Sequence, residues 1–286
     1  MNIVINLNKP RAISSQQAVK KVKRLFAARK AGHAGTLDPM ATGVLLVCLN
    51  EATKITRFLS DLDKEYVVRM KLGERTDTCD STGRVIEKSD YQSVMETDIS
   101  RTLSGFTGLV KQTPPMHSAV KIGGRPLYKL ARKGIVVSRP ERTVTIDRIE
   151  LLSVNKPYVD LRVVCSKGTY IRTLCDDVGN TLGTGAHMVS LVRTRIGSFR
   201  VEDSFSIEDL AHERPSSCSI DSAISHLREI MLDDSSYRKA RNGVPIQIEN
   251  NNLLQNQYVR LKSPRNMLFG LGKLEDNMVK IERLLN

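Results

Sequence analysis

Hydrophobic residues recur along the first part of the chain with two periods, one typical of strands and one of helices. Aliphatic residues at alternate positions predict a short strand over 2–7. A helix is predicted from about Ser15, because Ser14 and Gln17 have capping-box spacing and the apolar residues after them share one face. That stripe comprises Ala18, Val22, Leu25 and Phe26. An unbroken apolar run at 44–49 has the length of a buried strand.

The alternating pattern returns over 64–72, where a further strand is predicted. Its core face carries Tyr66, Val68, Met70 and Leu72. Local chemistry favours a core tyrosine with a satisfied hydroxyl at position 66. The alternative is an aromatic ring that faces a pocket, where a base could stack.

Later segments predict a hairpin followed by a helix. Strands near 143–152 and 158–165 form the pair, and Gly168 then turns the chain into a helix. The buried stripe of this helix comprises Ile171, Leu174, Val178 and Leu182. Arg172 lies one position off the stripe and four residues before Asp176, so local spacing favours a surface ion pair between them.

The stretch between the first helix and the apolar run 44–49 predicts a rigid, irregular loop. Three glycines and Pro39 lie within residues 32–43, where neither a plain helix nor a plain strand is expected. Asp38 directly precedes the proline and is pushed toward extended geometry. Taken alone, such an aspartate favours an Asx turn with its own backbone. A stiff loop at the edge of a buried strand nevertheless suits a catalytic residue.

The chain of 286 residues is long enough for one large domain and a small appendage, or for two domains. Its character changes after about residue 228. Residues 237–286 combine short strands with turns, which predicts a small β-rich module. We therefore expect one domain over 1–228 and a second over 229–286.

The charge balance changes this picture by suggesting a partner. A net charge of +13 and a pI near 9.6 favour a polyanion, nucleic acid first and an anionic membrane second; a generally basic surface is the alternative. The sequence has no tryptophan and no amphipathic basic helix with Trp or Phe anchors, which weakens the membrane interpretation. Segment 111–142 stands out with eight cations and one acid, and its Pro and Gly residues predict a partly mobile loop.

The first helix also carries a cluster of cations outside its apolar stripe. They form either a solvated face, the commoner case, or a track for phosphates. The cluster comprises Lys20, Lys21, Lys23, Arg24, Arg29 and Lys30.

The cysteines and the apolar runs indicate in which compartment of the cell the protein is expected. Five cysteines without a CxxC pair predict neither a disulfide framework nor a zinc site, and a reducing cytoplasm fits them. The N-terminus lacks the pattern of a signal peptide, and no stretch approaches the length of a membrane span. We expect no metal site and a cytoplasmic location.

Taken together and in order, these motifs closely resemble the bacterial TruB family of tRNA pseudouridine synthases over essentially the whole chain. The longest motif, Gly-His-Ala-Gly-Thr-Leu-Asp-Pro-Met-Ala-Thr-Gly at 32–43, is highly specific by itself. Its ordered neighbours are Asn-Lys-Pro at 8–10, Asp-Lys-Glu-Tyr at 63–66, Thr-Asp-Thr-Cys-Asp-Ser-Thr-Gly at 76–83, Gln-Thr-Pro-Pro-Met-His-Ser-Ala-Val-Lys at 112–121, Gly-Thr-Tyr-Ile-Arg-Thr-Leu at 168–174, Gly-Ala-His at 185–187 and Leu-Val-Arg-Thr at 191–194. The C-terminal part is short for the family, and Ala34 replaces the commoner Thr.

The resemblance implies a mixed α/β (α+β) catalytic domain with a long, mostly antiparallel sheet and a small C-terminal domain of the PUA type that binds RNA. The implied reaction converts uridine 55 in the T-arm of tRNA to pseudouridine. This isomerisation needs no cofactor, because it consumes no energy source and has no redox step. The implied partner is tRNA alone, with the protein a monomer that needs no protein partner.

The resemblance also implies roles for individual residues. Asp38 resembles the essential aspartate, Arg172 its arginine partner and Tyr66 the active-site tyrosine. His33 resembles the histidine that takes the place of the flipped base. The remaining implied contacts are Leu191 against the uracil, Lys9 and Pro10 as support for the tyrosine loop, and an RNA-clamping insertion near 111–142 that contains Lys129, Arg132 and Lys133.

Two other functions stay open at this point. One is an RNA-binding chaperone that folds tRNA, with catalysis secondary or lost. The other is a guide-RNA-dependent pseudouridine synthase, which shares the motifs. The sequence leaves open whether Asp38 attacks C1′, attacks C6 or assists a glycal route.

Overall fold

The computed structural model describes residues 1–118, 120–131, 133–135, 137–212, 218–248, 256–275 and 277–285. The strands are β1 (Ile3–Lys9), β2 (Ala31–His33), β3 (Thr42–Leu49), β4 (Lys64–Leu72), β5 (Glu74–Thr76), β6 (Val85–Lys88), β7 (Gly108–Gln112), β8 (Lys121–Ile122), β9 (Arg125–Pro126), β10 (Arg142–Asn155), β11 (Tyr158–Cys165), β12 (Ala186–Ile196), β13 (Phe199–Arg200), β14 (Cys218–Ser219), β15 (Arg228–Met231), β16 (Ile246–Gln247), β17 (Tyr258–Lys262), β18 (Leu268–Glu275) and β19 (Met278–Leu284). The helices are α1 (Ser15–Leu25), α2 (Thr56–Asp61), α3 (Glu96–Ser104), α4 (Leu127–Ala131), α5 (Ile171–Thr181), α6 (Asp209–His212), α7 (Ile220–Ala223) and α8 (Asp234–Arg241), with a 3₁₀ helix over Asn50–Ile55.

A ten-stranded sheet forms the centre of the molecule. Its main path runs β14-β1-β3-β12-β4-β11-β10-β7, with β2 paired to β3 and β13 paired to β12. Every pairing along this path is antiparallel except that of β12 with β3. The expected mixed, mostly antiparallel sheet is therefore confirmed, and β12 is the strand that joins its two halves.

The first strand and helix form as the hydrophobic pattern predicts, with one exception. The capping box of Ser14 and Gln17 is present, and Ala18 and Val22 are buried against aliphatic residues of β1 and β3. The prediction for Leu25 is wrong, because this side chain stays 44% exposed at the edge of a surface groove beside α6. Val19 is buried on the stripe instead, since it lies closer to the centre of the helix's inner face.

The central strands carry the predicted core. The four residues predicted for the core face of β4 are all buried, and β10 and β11 form the expected antiparallel pair. After β4, the short strands β5 and β6 pair with each other, and Arg75 bonds Glu87 across this pair. The basic insertion contains the short elements β8, β9 and α4. Arg132 lies outside the described residues.

A second, five-stranded sheet of order β15-β17-β18-β19-β16 follows, as expected of a β-rich C-terminal module. It has its own apolar core with α8. It also shares an apolar cluster with the main sheet and α2, where the ring of Phe58 on α2 meets that of Tyr258 edge to face at 5.0 Å between centroids. The first strand of this sheet begins at Arg228.

Candidate active site

The loop that carries Asp38 is held by α1 and by the end of β1. The Ser15 hydroxyl donates to the carbonyl of Leu37 at 2.9 Å and accepts from its N–H at 2.8 Å. The Ala12 N–H donates to the carbonyl of Pro39, and the Ala41 N–H donates to that of Asp38. These bonds fix the backbone on both sides of the aspartate, so its carboxylate is free to face the neighbouring helix rather than form the Asx turn that local chemistry favours.

Arg172 reaches this carboxylate from α5. Its Nε lies 2.9 Å from Asp38 Oδ2 and its Nη2 lies 3.4 Å from Oδ1, the side-on geometry in which a planar guanidinium holds both carboxylate oxygens. The surface pair expected with Asp176 does not form; Asp176 bonds Arg75 at 3.0 Å. The first turn of α5 is buried, so Arg172 is directed into the protein and only 5% of it is exposed.

A second aspartate, which residue-by-residue interpretation of the sequence missed, completes the network. Asp80 Oδ2 lies 3.2 Å from Arg172 Nη1, and both side chains are almost fully buried. The other Asp80 oxygen accepts from the Thr78 hydroxyl at 2.9 Å and from the Thr82 N–H at 2.9 Å. One guanidinium therefore lies between two carboxylates, and one of those carboxylates is anchored by its own loop. The signal for Asp80 was its place inside the motif 76–83.

Tyr66 lies opposite a buried arginine that sequence patterns also missed. Tyr66 on β4 pairs in register with Arg193 on β12, and both are buried. The Arg193 guanidinium donates to the carbonyls of Gly35 at 3.0 Å and Val44 at 2.7 Å, so it supports the loop before and after Asp38. Gly43 permits this approach, because its φ is +99° and a Cβ there would lie 2.2 Å from the Arg193 carbonyl oxygen.

The other expected contacts lie around this centre. Leu191 is buried in the same apolar cluster as Tyr66, and His33 is half-buried on β2, at the start of the aspartate loop. Lys9 is fully buried, and its ammonium donates to the carbonyls of Pro10 at 2.8 Å and Ile13 at 2.9 Å. Its further contact, at 3.5 Å, is with the loop that carries Asp38. Pro10 itself is exposed.

The basic insertion meets the network at one point. The carbonyl of His117 accepts a hydrogen bond from Arg172 Nη2 at 3.0 Å. Lys129 and Lys133 lie farther along the insertion and are exposed. The insertion thus borders the site, while Lys129 and Lys133 face solvent.

Electrostatics at the centre combine burial with opposing charges. Burial raises the pKa of the Asp38 carboxyl above its ordinary value, Arg172 lowers it, and Asp80 raises it further. The side chain keeps 31% of its exposure, so the carboxylate remains accessible. Burial also lowers the pKa of Lys9 to about 8 and raises that of Tyr66. A carboxylate beside a fixed cation, under an apolar wall, can act as a nucleophile or stabilise positive charge on a sugar.

Comparison with known sequences identifies the family. Residues 23–171 match the family described as "TruB family pseudouridylate synthase (N terminal domain)". Residues 172–233 match the family described as "tRNA pseudouridylate synthase B C-terminal domain". The chain belongs to the TruB family. This confirms the resemblance drawn from the motifs, and it makes the chain an isomerase of the RNA-modifying kind.

Relatives match the TruB chain over its whole length. A protein of Clostridium tetani named tRNA pseudouridine synthase B is 43% identical over 289 residues, which cover 100% of both chains. A protein of Mannheimia succiniciproducens with the same name is also 43% identical, over 99% of this chain and 95% of its own. The family assignment therefore covers both the catalytic sheet and the C-terminal module.

Solved structures agree with the fold. A Cbf5-Nop10-Gar1 complex contains a chain that matches 99% of this one at 30% identity, with a TM-score of 0.78 and 84% of that chain covered. A chain in the structure of an H/ACA RNP bound to a substrate RNA containing 2'-deoxyuridine matches 99% of this chain at 27% identity, with a TM-score of 0.76 and 85% of that chain covered.

Within the described residues, no cluster of three or more metal-ligating side chains occurs. Among the same residues, no helix is long and apolar enough to span a membrane.

Proposed function

We propose that this chain converts uridine 55 in the T-arm of tRNA to pseudouridine without a cofactor or a protein partner. The observation that carries the proposal is the Asp38 carboxylate, accessible to substrate and held by Arg172 at 2.9 Å. The family assignment and the names of the relatives support tRNA as the substrate class. The location that fits this activity is the cytoplasm.

The reaction breaks the N1–C1′ bond of uridine, turns the uracil and forms a C5–C1′ bond, while C5 loses a proton and N1 gains one. Asp38 acts during the cleavage, either by bonding to C1′, by adding to C6, or by assisting loss of a proton from the sugar. All three routes require the ionised carboxylate. Carboxylates serve the first role in glycosidases.

The surrounding residues suit a uracil taken out of the RNA. Tyr66 and Leu191 belong to one apolar cluster beside the aspartate and provide an aromatic and an aliphatic surface for the base. Extrusion of the base costs a few kcal/mol of unstacking, which contacts in the pocket must offset. His33, at the start of the aspartate loop, is placed to fill the vacated position.

We infer that the C-terminal sheet and the basic insertion also bind the RNA. The insertion borders the site through His117, and its exposed Lys129 and Lys133 are available for phosphates. A PUA-type role for residues 229–286 is consistent with a separate small sheet. Recognition then rests mainly on RNA shape and phosphates.

Site mapping tests the proposal. The purified protein is incubated with an unmodified tRNA transcript, and pseudouridine is located by carbodiimide labelling and primer extension. A single stop in the T-loop, absent with Asp38→Asn, is the expected result, and the mutant should still bind the transcript because its carboxylate does little anchoring. A mutant with a normal rate would contradict the role of Asp38.

The same experiment separates the two alternatives. Tight binding without any stop would favour an RNA chaperone or a guide-dependent enzyme. The structural relatives from H/ACA complexes give the guide-dependent alternative its specific support. Activity that appears only after addition of a guide RNA and protein partners would decide for it.

A further inference from the structure

The excess positive charge of this chain is confined to two segments. Residues 1–37 contain eight Lys and Arg residues and no acid, whereas 111–142 contains eight cations and one acid. Their charges of +8 and +7 together exceed the net +13 of the whole chain, so the remainder is slightly acidic. The N-terminal segment is the more one-sided of the two, because it contains no acid.

Half of the N-terminal cations lie on one helix. Lys20, Lys21, Lys23 and Arg24 of α1 are exposed, and none makes an ion pair with any residue the structure describes. Lys23 and Arg24 lie in the last turn, where the helix dipole favours cations. That effect does not account for the other two. A solvated helix face normally mixes both signs, and α1 has no acid to balance its cations.

The position of α1 connects these cations with the active site. Gly43 pairs with Arg193, so side chains at 45 and 47 share the sheet face of Arg193, and these pack under α1. The helix therefore lies on the same face as Tyr66, which pairs with Arg193 in register. Its first residue, Ser15, is bonded to the aspartate loop, and the chain returns to the site at His33.

The two basic segments approach this face from opposite sides. The insertion follows β7 at one end of the sheet, whereas α1 covers β1 and β3 toward the other end. Five strand spacings separate β3 from β7, about 24 Å at the usual strand separation. An RNA arm held between the insertion and the site leaves α1 facing a neighbouring part of the same molecule.

We propose that the exposed face of α1 binds the phosphate backbone of the substrate RNA outside the arm whose uridine enters the site. The inference rests on the proposed function, since it takes a folded RNA with more than one helical arm as the ligand. Unpaired cations along a helix of about 16 Å suit a backbone rather than one nucleotide. The contact gives affinity and orientation without sequence preference.

Binding measurements with two RNAs test this contact. The variant Lys20→Gln/Lys23→Gln/Arg24→Gln is made in the Asp38→Asn background, so that binding is measured without turnover. The dependence of log Kd on log salt is compared for a full-length tRNA transcript and an isolated T-arm stem-loop. We expect the slope for the transcript to fall by about 2 to 3, since each lost phosphate contact contributes roughly 0.9, and the slope for the stem-loop to stay unchanged.

A charge-matched control separates contact from the general field of the protein. Arg69, Lys88 and Arg101 are exposed, each has an acidic partner, and all three lie outside the insertion and the C-terminal sheet, so changing them to Gln removes the same formal charge. This control should leave both slopes within 0.5 of the parent, taken as roughly half of one phosphate contact. An equal fall in the control and in the α1 variant would overturn the proposal, as would equal losses for both RNAs.

Two further measurements keep the result independent of folding and of the proposed activity. Hydroxyl-radical footprinting of the transcript should show backbone protection outside the T-arm that the α1 variant loses and that the charge-conserving variant Lys20→Arg/Lys23→Arg retains. Absence of such protection with the parent protein overturns the contact. Single-turnover pseudouridine formation at saturating enzyme should persist in the α1 variant with Asp38 intact; its absence from the parent would refute the proposed function alone.

Discussion

Two buried arginines flank the aspartate loop, and their partners differ in kind. Arg172 is 5% exposed and lies between the carboxylates of Asp38 and Asp80. Arg193 is 1% exposed and is held by backbone carbonyls, including those of Gly35 and Val44. The first is fixed by charges that a substrate or a proton can alter, whereas the second is fixed by the fold.

This difference predicts different functions for the same side chain. A guanidinium between carboxylates sets the orientation and the ionisation of Asp38, the group that we propose takes part in the reaction. A guanidinium that satisfies carbonyls supports the loop, and its loss leaves buried acceptors unpaired. Substitution at the two positions should therefore separate turnover from stability.

The largest expected effect is that of Arg172→Lys on turnover. A lysine cannot reproduce the two-point contact with Asp38, so the single-turnover rate should fall by about 100-fold, as for other lost charge-stabilising donors. The melting temperature should change little, because the positive charge between the two carboxylates is kept. A rate loss that merely follows unfolding would contradict the assignment.

Arg193→Lys is the matched substitution at the other arginine. A lysine there cannot reach carbonyls on both sides of the loop, so unfolding should become easier by about 2–4 kcal/mol, the cost of one or two unpaired buried acceptors. Urea denaturation measures this change. An Arg193→Lys protein with unchanged stability would contradict the assignment of a structural role to Arg193.

Asp80→Asn tests whether the charge of Asp80 positions Arg172. The asparagine keeps the shape and can still accept from Thr78 and Thr82, but it removes the charge that holds Nη1. We expect kcat to fall by about 10-fold, a loss of about 1.4 kcal/mol of transition-state stabilisation, with the KM for tRNA unchanged. Asp176→Asn, which removes one of the two acidic partners of Arg75, is the control and should leave kcat unaffected.

The smallest effect concerns pH. The pKa of Asp38 is raised by burial and by Asp80, so turnover, which needs the carboxylate, should fall with decreasing pH at values above about 4 rather than below. Removal of the charge at position 80 takes away one raising influence. The acid limb of the single-turnover rate should therefore move to lower pH in Asp80→Asn; an upward shift would show that loosening of Arg172 dominates.

Local patterns predicted much of the frame and little of the charge network. Alternation placed Tyr66 on the buried face of β4, and capping chemistry placed the start of α1 at Ser15, because these signals depend on residues close in sequence. Arg172 looked like a surface residue, since its true partners are 92 and 134 positions away. Only the resemblance to a family connected it with Asp38.

The arginine at 193 shows why such residues escape prediction from sequence. Its neighbours on the strand alternate in a way that allows either face for a charged residue, and its partners are carbonyls, which every residue has. Backbone acceptors leave no mark in the side-chain pattern. The sequence shows a glycine at position 43. It does not show that the backbone of Arg193 on β12 lies where a Cβ at this position would be.

The place of β12 in the sheet also determines the order in which this enzyme is completed during synthesis. Strands β1 and β3 carry the aspartate loop, β4 and its neighbours carry the tyrosine, and within the sheet β12 pairs with β3 on one side and with β4 on the other. A ribosome must translate past Ile196 before that strand is available. Until then the nascent chain has two half-sheets with open edges and no site, so a protein cut before residue 186 should be inactive and prone to edge-to-edge association.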